Sequence, residues 1–575
     1  MRLSIFPILL FPLLPALAST STEILTLPEI TVYSSRLPAA DSFYYKQRLG
    51  RNDFSGAGEL TTALKTIPDL DLSFHNTPSA LATAKLEGTD ARHLLVKFDN
   101  LKLNDLFNGT FDLSLLEPEM IGNLQVVHGS ASSLYGGDAP GGVIDAASPD
   151  CLEDSAGISL GSYGYQKIQV SHRLSPESSI LALHKDYSGD RPEADGRQNT
   201  FFLSEKNAAS SFTALFTDKN TGTPGSTSNF FWNTLGDREM DDLRLLSWSG
   251  NYTEYWKLSL GLFDSRQKQL DSSMQATNSF RSTRSNCELL WKKSNTAIGI
   301  SRENFSGNAE IHSDNDYSTT WNPPVDTLDS INRSCFCNSI FSETVISHLY
   351  LSGRLDDDSG FGKIFSGNAG LKFGALTLTE YLGYKLPTFN DLYWPGGGNP
   401  NLTEEKSRGC SARISSGKGF SVRCFRTDYR DLIQWAPVNA WLWLPSNVGA
   451  ARVSGVSLAC KRGHFTTEGN FCKPENRVTG ERLLYKEFRS ARVSYQNSCT
   501  ALSYNYRGRE RLQDNFDILG KKVPDFRNGT GTWDLRLSGH RAFLEIDDLF
   551  NRGLLTVKEY PKVRRTWRLG FSAEF

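Results

Sequence analysis

An acidic cluster lies between Gly189 and Gly196. Asp190, Glu193 and Asp195 place three carboxylates in this short stretch. Carboxylate oxygens are the hard ligands that Ca²⁺ prefers. These three carboxylates could supply oxygen ligands to Ca²⁺, and the alternative is a set of acidic loop residues solvated by water.

The motifs of metalloproteases and of phosphate-binding loops are missing from the sequence. Neither His-Glu-x-x-His nor Gly-x-x-x-x-Gly-Lys occurs, and the nine histidines are scattered. Cys335 and Cys337 lack the second pair of ligands that a zinc site needs. We therefore predict that the protein is not an enzyme and uses no cofactor other than the calcium considered above. A hydrolase is the enzymatic alternative.

Composition and charge exclude two broad classes of protein. The 575 residues include 62 basic and 64 acidic side chains, for a formal net charge of −2. A nucleic-acid-binding protein would carry an excess or a stripe of basic residues, so we predict no nucleic-acid partner. The mean hydropathy is −0.38, and beyond residue 18 no apolar run reaches the roughly 18 residues of a spanning helix.

Residues 1–18 have the pattern of a secretory signal peptide. Arg2 precedes the apolar run Leu3–Leu14, and Ala16-Leu17-Ala18 is a small-x-small cleavage sequence. The mature chain is predicted to begin near Ser19. Nine cysteines in a secreted chain of this length are too few for a disulfide framework, and their odd number leaves at least one without an intramolecular partner.

The sequence changes character near residue 150, after which short alternating segments predominate. In the last nine residues, for example, Trp567, Leu569 and Phe571 alternate with polar residues. Such a strand has one apolar and one polar face. A soluble sandwich also alternates, but residues 151–575 far exceed the roughly 250 residues of a sandwich domain. A transmembrane β-barrel with an apolar lipid face and a polar, wet lumen fits the length better.

One hairpin can be assigned a register from the sequence. Mirroring the chain about Gly417 pairs Cys410 with Cys424 and Ile414 with Phe420. The apolar partners share one face, which we predict to be the lipid face. Cys410 and Cys424 are then small lipid-facing residues, and a cross-strand disulfide is the alternative.

Several segments, in order, resemble one family. Leu86–Asp105 resembles the "IRGT…VLVLIDGVRLN" segment of TonB-dependent outer-membrane receptors, and Val126–Ile144 resembles their "EVLRGPxSxLYGxxAxGGVI" segment. Tyr384–Pro387 with Gly398–Ser407 is similar to their "FRxP…GNPxLxPEKS" motif, and Asp548–Asn551 resembles the signature of the penultimate strand. The chain is identified as a member of this family.

The resemblance implies a barrel of about 22 antiparallel strands over residues 151–575, with an α/β plug domain, residues 41–150, inside its lumen. Residues 19–40 would form a periplasmic segment. The protein would lie in the outer membrane in contact with its lipid, and we expect a monomer. The partner that opens the plug would be TonB, acting with ExbB and ExbD.

A segment near the mature amino terminus resembles a TonB box. It comprises Pro28, Glu29, Ile30, Thr31, Val32, Tyr33 and Ser34. A β-branched, extended segment at a chain terminus suits strand addition to a partner's exposed sheet edge. The alternative is a first strand of the plug.

Ligand capture is predicted at the plug apex, which the resemblance places at residues 75–82 and 104–110. The neutral polar and apolar candidates are Asn76, Thr77, Ser79, Asn104, Phe107, Asn108 and Thr110. Neutral donors and acceptors suit a large, amide-rich ligand. For each of these residues, the alternative is an ordinary loop position.

The sequence of the plug segment most resembles that of cobalamin (vitamin B12) receptors, so uptake of cobalamin or a related corrinoid is predicted. Counting strands puts Gly189–Gly196 in the second extracellular loop, where the resemblance implies calcium. A ferric-siderophore receptor is the leading alternative. A haem receptor is less favoured, because similar haem receptors use a histidine between the two barrel motifs and none lies between Pro387 and Asn399 here. A non-transporting adhesin is a further alternative, but it would need neither a TonB box nor a gated plug.

The sequence departs from the family pattern at charged positions of the plug. Glu87 and His128 stand where the family has arginines, and Ser457 stands where its barrel usually has glutamate, although Glu405 remains. A buried charge without a partner costs several kcal/mol. Glu87 therefore requires a cation that the motifs do not identify.

Overall fold

The computed structural model shows a closed barrel around an internal domain. It describes residues 37–54, 57–67, 69–74, 81–189, 191, 193–223, 237–271, 273–314, 326–395, 397–416, 419–437, 443–483, 489–511, 515–516, 522–523, 525–539, 541–553 and 564–575. Within these ranges no helix is long and apolar enough to cross a bilayer. The predicted signal peptide and TonB box lie outside the described residues.

The internal domain is a small α/β structure. Its strands are β1 (Lys46–Gly50), β2 (Leu70–Phe74), β3 (Ala82–Leu86), β4 (Leu94–Phe98), β5 (Leu101–Lys102), β6 (Asn123–His128) and β7 (Gly142–Ala147). Its helices are α1 (Arg51–Phe54), α2 (Leu60–Leu64) and α3 (Ser132–Tyr135), with 3-10 turns at Pro38–Phe43, Ala91–His93, Leu113–Leu115 and Pro118–Met120. Five strands form one sheet in the order β1-β6-β7-β4-β5, and β2 pairs with β3.

The barrel consists of 22 strands, as predicted. Their bounds are β8 (Ser155–Gly161), β9 (Gln166–Ser175), β10 (Ser178–Tyr187), β11 (Gly196–Lys206), β12 (Ser210–Gly222), β13 (Arg238–Asn251), β14 (Trp256–Leu270), β15 (Ala276–Lys293), β16 (Thr296–Asp314), β17 (Asp326–Ile346), β18 (Leu349–Asp358), β19 (Gly362–Phe373), β20 (Leu376–Lys385), β21 (Glu405–Ser416), β22 (Phe420–Pro437), β23 (Trp443–Arg462), β24 (Phe465–Asn476), β25 (Arg489–Gln496), β26 (Thr500–Arg507), β31 (Thr530–Ser538), β32 (Ala542–Asp547) and β33 (Thr566–Glu574).

Smaller elements lie in the connections between barrel strands. They are a 3-10 turn at Ser162–Gly164, helix α4 (Phe389–Tyr393) and the short strands β27 (Glu510–Arg511), β28 (Asn515–Phe516), β29 (Lys522–Val523) and β30 (Phe526–Arg527). The last strand, β33, pairs antiparallel with the first, β8, which closes the sheet. Closure leaves no unpaired edge, which a sheet in hydrocarbon requires.

The predicted faces of the last strand are confirmed. Trp567 and Phe571 are 45% and 54% exposed on the outside, whereas Arg568 between them is only 4% exposed and points inward. Alternation therefore separates the lipid face from the lumen, as it must when successive side chains point to opposite sides.

The register predicted for the hairpin about Gly417 is wrong by two residues. Ala412 pairs with Cys424 and Ile414 with Val422, so Cys410 lies opposite Arg426 rather than Cys424. A shift by an even number preserves the face of every side chain. Cys410 and Cys424 are accordingly exposed thiols on the outer face, not bonded to each other.

The alternating pattern predicted a polar, wet lumen, but part of the inner wall is apolar. Leu181, Phe202, Leu215, Leu243 and Phe263, on the inner face of β10–β14, belong to the same buried apolar cluster as the plug core. The plug buries one apolar face against this sector of wall, which removes apolar area from water on both sides. The lumen is therefore a packed interface there.

The first barrel strand contains a Gly-x-Ser-x-Gly pattern, Gly157–Gly161, which in hydrolases marks a strand-to-helix turn. Here Ser159 sits within β8, paired with Gly570 on one side and Lys167 on the other. Neither the turn nor the helix of a nucleophile elbow is present at this serine.

Candidate ligand and gating site

Two side chains, Asn104 and Asp105, hold the apical loop after β5 through bonds to backbone groups of the loop and of β4. The buried Asn104 side chain accepts from the Val96 N–H (2.8 Å) and donates to the carbonyls of Leu94 (3.0 Å) and Gly109 (2.9 Å). Asp105 Oδ1 accepts the backbone N–H groups of Phe107 and Asn108. The side-chain oxygen and nitrogen of Asn104 are thus already hydrogen-bonded to the backbone.

The rest of the loop meets the barrel. Phe107 is fully buried, with ring centroids 5.2 Å from Phe280 and 5.7 Å from Phe389. Asn108 is exposed, and its Oδ1 accepts from the Asn390 amide at 2.9 Å. Thr110 is half-buried.

Of the predicted apex residues, Asn108 and Thr110 therefore retain some contact with solvent, whereas Asn104 and Phe107 support the loop from inside. Asn76, Thr77 and Ser79 lie outside the described residues.

Helix α4 covers the apical loop and is fixed through its first turn. Thr388 caps it, and Thr388 and Asp391 form a reciprocal capping box. Asp391 also accepts the indole N–H of Trp435 at 2.8 Å and lies 3.4 Å from Arg92 of the plug. This helix therefore links the plug to the barrel above the predicted ligand loop. The sequence signal for it is the Pro387-Thr388-x-x-Asp391 capping pattern.

A small charged cavity of about 100 Å³ lies beneath α4. Lys102 binds Glu303 at 2.9 Å and Asp138 at 3.5 Å, and Arg284 binds Glu303 at 2.6 Å. Burial alone would raise the pKa of Asp138, but Lys102, Lys385 and Arg284 hold it well below its usual range. Pockets for drug-sized ligands are roughly 300–1,000 Å³, so this cavity is too small for a large chelate while α4 stays in place.

The cation that Glu87 requires is supplied by the barrel. Glu87 Oε1 accepts from Arg423 of β22, whose side chain is only 1% exposed, and lies 2.9 Å from His128 Nδ1. Burial raises the pKa of Glu87, but Arg423 and His128 together lower it to about 2. The plug thus supplies the carboxylate of this ion pair and the barrel supplies the guanidinium. The sequence motifs did not predict that Arg423 would be the partner of Glu87.

A second contact between plug and barrel uses the retained Glu405. Its Oε2 lies 2.6 Å from His93 Nε2, and its Oε1 accepts the Ile433 N–H at 2.8 Å. The His93 ring stacks on Tyr429 with centroids 5.4 Å apart. Both oxygens of Glu405 are therefore occupied, one by the plug and one by the barrel.

A third contact, centred on Glu117, was missed by the sequence analysis. Lys185 donates to Glu117 Oε1 at 2.7 Å, Lys167 to Oε2 at 2.9 Å, and Gln198 to Oε1 at 3.1 Å. Burial raises the pKa of Glu117, but the two lysines lower it to about 2. The available signals were two glutamates, Glu117 and Glu119, in the otherwise largely apolar stretch 113–121, and lysines at lumen positions of β9 and β10.

The acidic loop predicted to bind calcium holds an ion pair. Arg238 donates to both oxygens of Asp195, at 3.0 and 3.1 Å. Glu193 is exposed, and Asp190 lies outside the described residues. Calcium binding would require Arg238 to release Asp195, and the calcium site stays a prediction.

Comparison with known proteins places this architecture in a family. A model described as the TonB-dependent Receptor Plug Domain matches residues 38–143, and one described as TonB dependent receptor-like, beta-barrel, matches residues 182–549. The chain is 25% identical over 435 residues to the vitamin B12 transporter BtuB of Vibrio vulnificus, covering 69% of this chain and 70% of that protein. The match to BtuB of Photobacterium profundum is 24% over 409 residues, 65% of each chain.

Solved structures share the fold. The ferric enterobactin receptor PfeA of Pseudomonas aeruginosa superposes with a TM-score of 0.72 at 15% identity, covering 95% of this chain and 100% of that one. The siderophore receptor PirA of Acinetobacter baumannii gives 0.70 at 13% identity over the same shares. With a plug inside a closed 22-stranded barrel and both family models matched, this chain belongs to the TonB-dependent outer-membrane receptors.

Proposed function

We propose that this receptor takes up cobalamin or a related corrinoid across the outer membrane, using energy delivered by TonB with ExbB and ExbD. The observation that carries the proposal is the similarity to vitamin B12 transporters, which spans 435 residues and covers 69% of this chain. The likeness to siderophore receptors is 15% identity or less in the structures named above and supports the fold alone.

The contacts at the apex support capture of a large ligand outside α4. Asn108 and Thr110 of the plug, with Asn390 of the barrel, provide neutral amide and hydroxyl groups. Such groups match the amide periphery of a corrinoid better than the charge of a ferric chelate. Ligand contact with Asn108 would disturb the Asn390 bond, which offers one route from the capture surface to the plug.

Passage through the lumen requires more than movement of the apex. The Glu87, Glu405 and Glu117 contacts each join the plug to the barrel wall. Force on the amino-terminal segment, through strand pairing of Pro28–Ser34 with TonB, would act against these contacts. Capture and passage are thus separate steps with separate residues.

A direct binding panel tests the proposal. Purified receptor is titrated with cobalamin, cobinamide and ferric siderophores of both catecholate and hydroxamate types, with and without a calcium chelator. We expect corrinoid binding that Asn108→Ala weakens and that the control Asn207→Ala, in the β11–β12 turn, leaves unchanged. Binding of a ferric siderophore but no corrinoid would refute the substrate and favour the siderophore alternative. If Asp195 helps to bind calcium, chelation weakens corrinoid binding.

Deleting Pro28–Ser34 tests the energy supply. Cells with the deletion should bind ligand at the surface with unchanged affinity and fail to accumulate it. Normal accumulation in the deletion strain would contradict TonB-driven transport.

A further inference from the structure

Three plug side chains converge on one buried point beside Arg423. Asp69 lies just before β2, Glu87 just after β3, and His128 at the end of β6. Their potential ligand atoms all lie within 4.8 Å of one another. The side chains are 2%, 4% and 0% exposed, so water does not stabilise their charges.

Asp69 lacks the partners that a buried carboxylate needs. Its Oδ1 is buried and has no hydrogen-bond partner among the described residues. Its Oδ2 receives only a long bond from Ser457, at 3.4 Å, and lies 4.0 Å from His128 Nδ1. An ionised carboxylate left in this state costs several kcal/mol. The cluster therefore lacks a positive charge at Asp69.

The hydrogen bonds of the His128 ring also indicate that the cluster lacks a positive charge. Gln47 Nε2 donates to Glu468 at 3.3 Å, which turns Gln47 Oε1 toward His128 Nε2 at 3.1 Å. The Nε2–H of His128 therefore donates to Gln47. In a neutral ring the other nitrogen, Nδ1, then carries a lone pair, yet it faces the Glu87 carboxylate at 2.9 Å. Burial lowers the pKa of His128, which opposes a second proton on the ring.

We propose that a divalent transition-metal ion, Zn²⁺ in the first instance, binds Asp69, Glu87 and His128 Nδ1. One imidazole nitrogen and two carboxylate oxygens form a ligand set typical of Zn²⁺, whereas Ca²⁺ prefers six or more oxygens. Ligands about 2.0–2.1 Å from a tetrahedral ion lie about 3.3 Å apart. The 2.9 and 4.0 Å separations observed bracket that value.

The ion would stabilise the plug next to its contact with the barrel. It would join three segments of the plug that are distant in sequence and leave Arg423 paired with Glu87. Gln47, which orients the ring through Nε2, would be a positioning residue of the kind that supports metal-bound histidines. This inference is independent of which nutrient the receptor transports.

Metal retention by the purified full-length receptor tests the site. Protein stripped with chelator is incubated with Zn²⁺, dialysed, and analysed for zinc by mass spectrometry and for thermal unfolding. We expect about one Zn²⁺ per chain and a higher unfolding temperature with zinc, because a ligand that binds only the folded state stabilises it. Asp69→Asn and His128→Gln should abolish both effects, and Gln47→Leu should weaken affinity about tenfold or more.

The matched control is His93→Gln, which alters a different buried histidine of the plug, the one that contacts Glu405 of the barrel, and should leave zinc retention intact. No retained zinc in the wild-type protein would overturn the proposal. So would retention that is equal in wild type, Asp69→Asn and His128→Gln, since the ion would then lie elsewhere. Circular dichroism of each variant establishes that it is folded before its zinc content is compared.

Discussion

The contacts around Glu117 and Glu87 bury the same kind of group in different ways. Glu117 is bonded by two lysines and a glutamine of the barrel. The same lysines also bind Glu59 and Glu119, so every carboxylate of this cluster has a cation within 3.2 Å. Glu87 receives one guanidinium and the edge of a histidine, and it stands near a second carboxylate, Asp69. A buried ion pair stabilises only when its hydrogen bonds are complete. We infer that the Glu117 contact is structural and that the Glu87 cluster is the easier one to release.

The largest loss of stability is expected when the Glu117 contact is broken. Glu117→Ala leaves Lys167 and Lys185 without their shared carboxylate, and breaking a buried pair costs about 3–5 kcal/mol. Denaturant unfolding of the purified receptor, followed by tryptophan fluorescence, should show this loss. The control Glu119→Gln removes a partly exposed partner of Lys167 and should cost less than about 1 kcal/mol. Equal effects of the two changes would contradict the contrast.

A smaller effect is expected at Arg423. Arg423→Met leaves Glu87 without its guanidinium, but His128 Nδ1 stays 2.9 Å from the carboxylate, and the change also removes a charge that lowers the pKa of His128. We expect a loss of about 2–3 kcal/mol in the same unfolding measurement. Glu87→Gln in the same chain should restore much of that loss, because the charge left behind is gone. Strictly additive effects would show that Arg423 and Glu87 are not coupled.

The smallest effect is a change in the pH dependence of stability. Burial and the Glu87 charge raise the pKa of Asp69 well above its usual range, so its contribution is favourable at low pH and is lost as the pH rises through the folded-state pKa. The contribution of Glu87 to stability depends on pH in the opposite direction. Because its pKa is lowered to about 2 in the folded protein, this contribution is present at neutral pH and is lost only when the pH falls toward 2.

In chelator-treated receptor, Asp69→Asn should therefore raise stability at pH 7–8 by on the order of 1 kcal/mol and have little effect near pH 4. Asp71→Asn, two residues along the chain, is the control: it removes a carboxylate paired with Arg507 and should not raise stability at pH 7–8. Unfolding midpoints measured across this pH range distinguish the two. A destabilised Asp69→Asn at pH 8 would show that Asp69 is ionised and well paired.

Much of the fold could be predicted because it depends on local pattern. Alternation at Trp567–Phe571 gave the correct faces of the last strand, and the motif segments gave the plug and the number of strands. The hairpin near Gly417 shows the limit. Its faces were predicted correctly and its register was not, because period-two alternation is unchanged by a shift of two residues.

The candidate site could be predicted less well. Asn104 and Phe107 have the composition of ligand contacts, yet the first bonds three backbone groups and the second packs between Phe280 and Phe389. Polar and aromatic residues in a loop serve either purpose, and composition does not distinguish them. The role of a loop residue depends on what lies above it, and here that is α4.

The sequence by itself determined the class of protein, the presence of a plug and a barrel, the lipid-facing side of the last strand and the need of Glu87 for a cation. Only the tertiary structure decided that Arg423, more than 330 positions away, supplies that cation and that Asp69 and His128 join the same cluster. The reason is physical. Hydrophobic periodicity is a property of neighbours in the chain, whereas compensation of a buried charge depends on distance in space, which barrel closure around the plug sets.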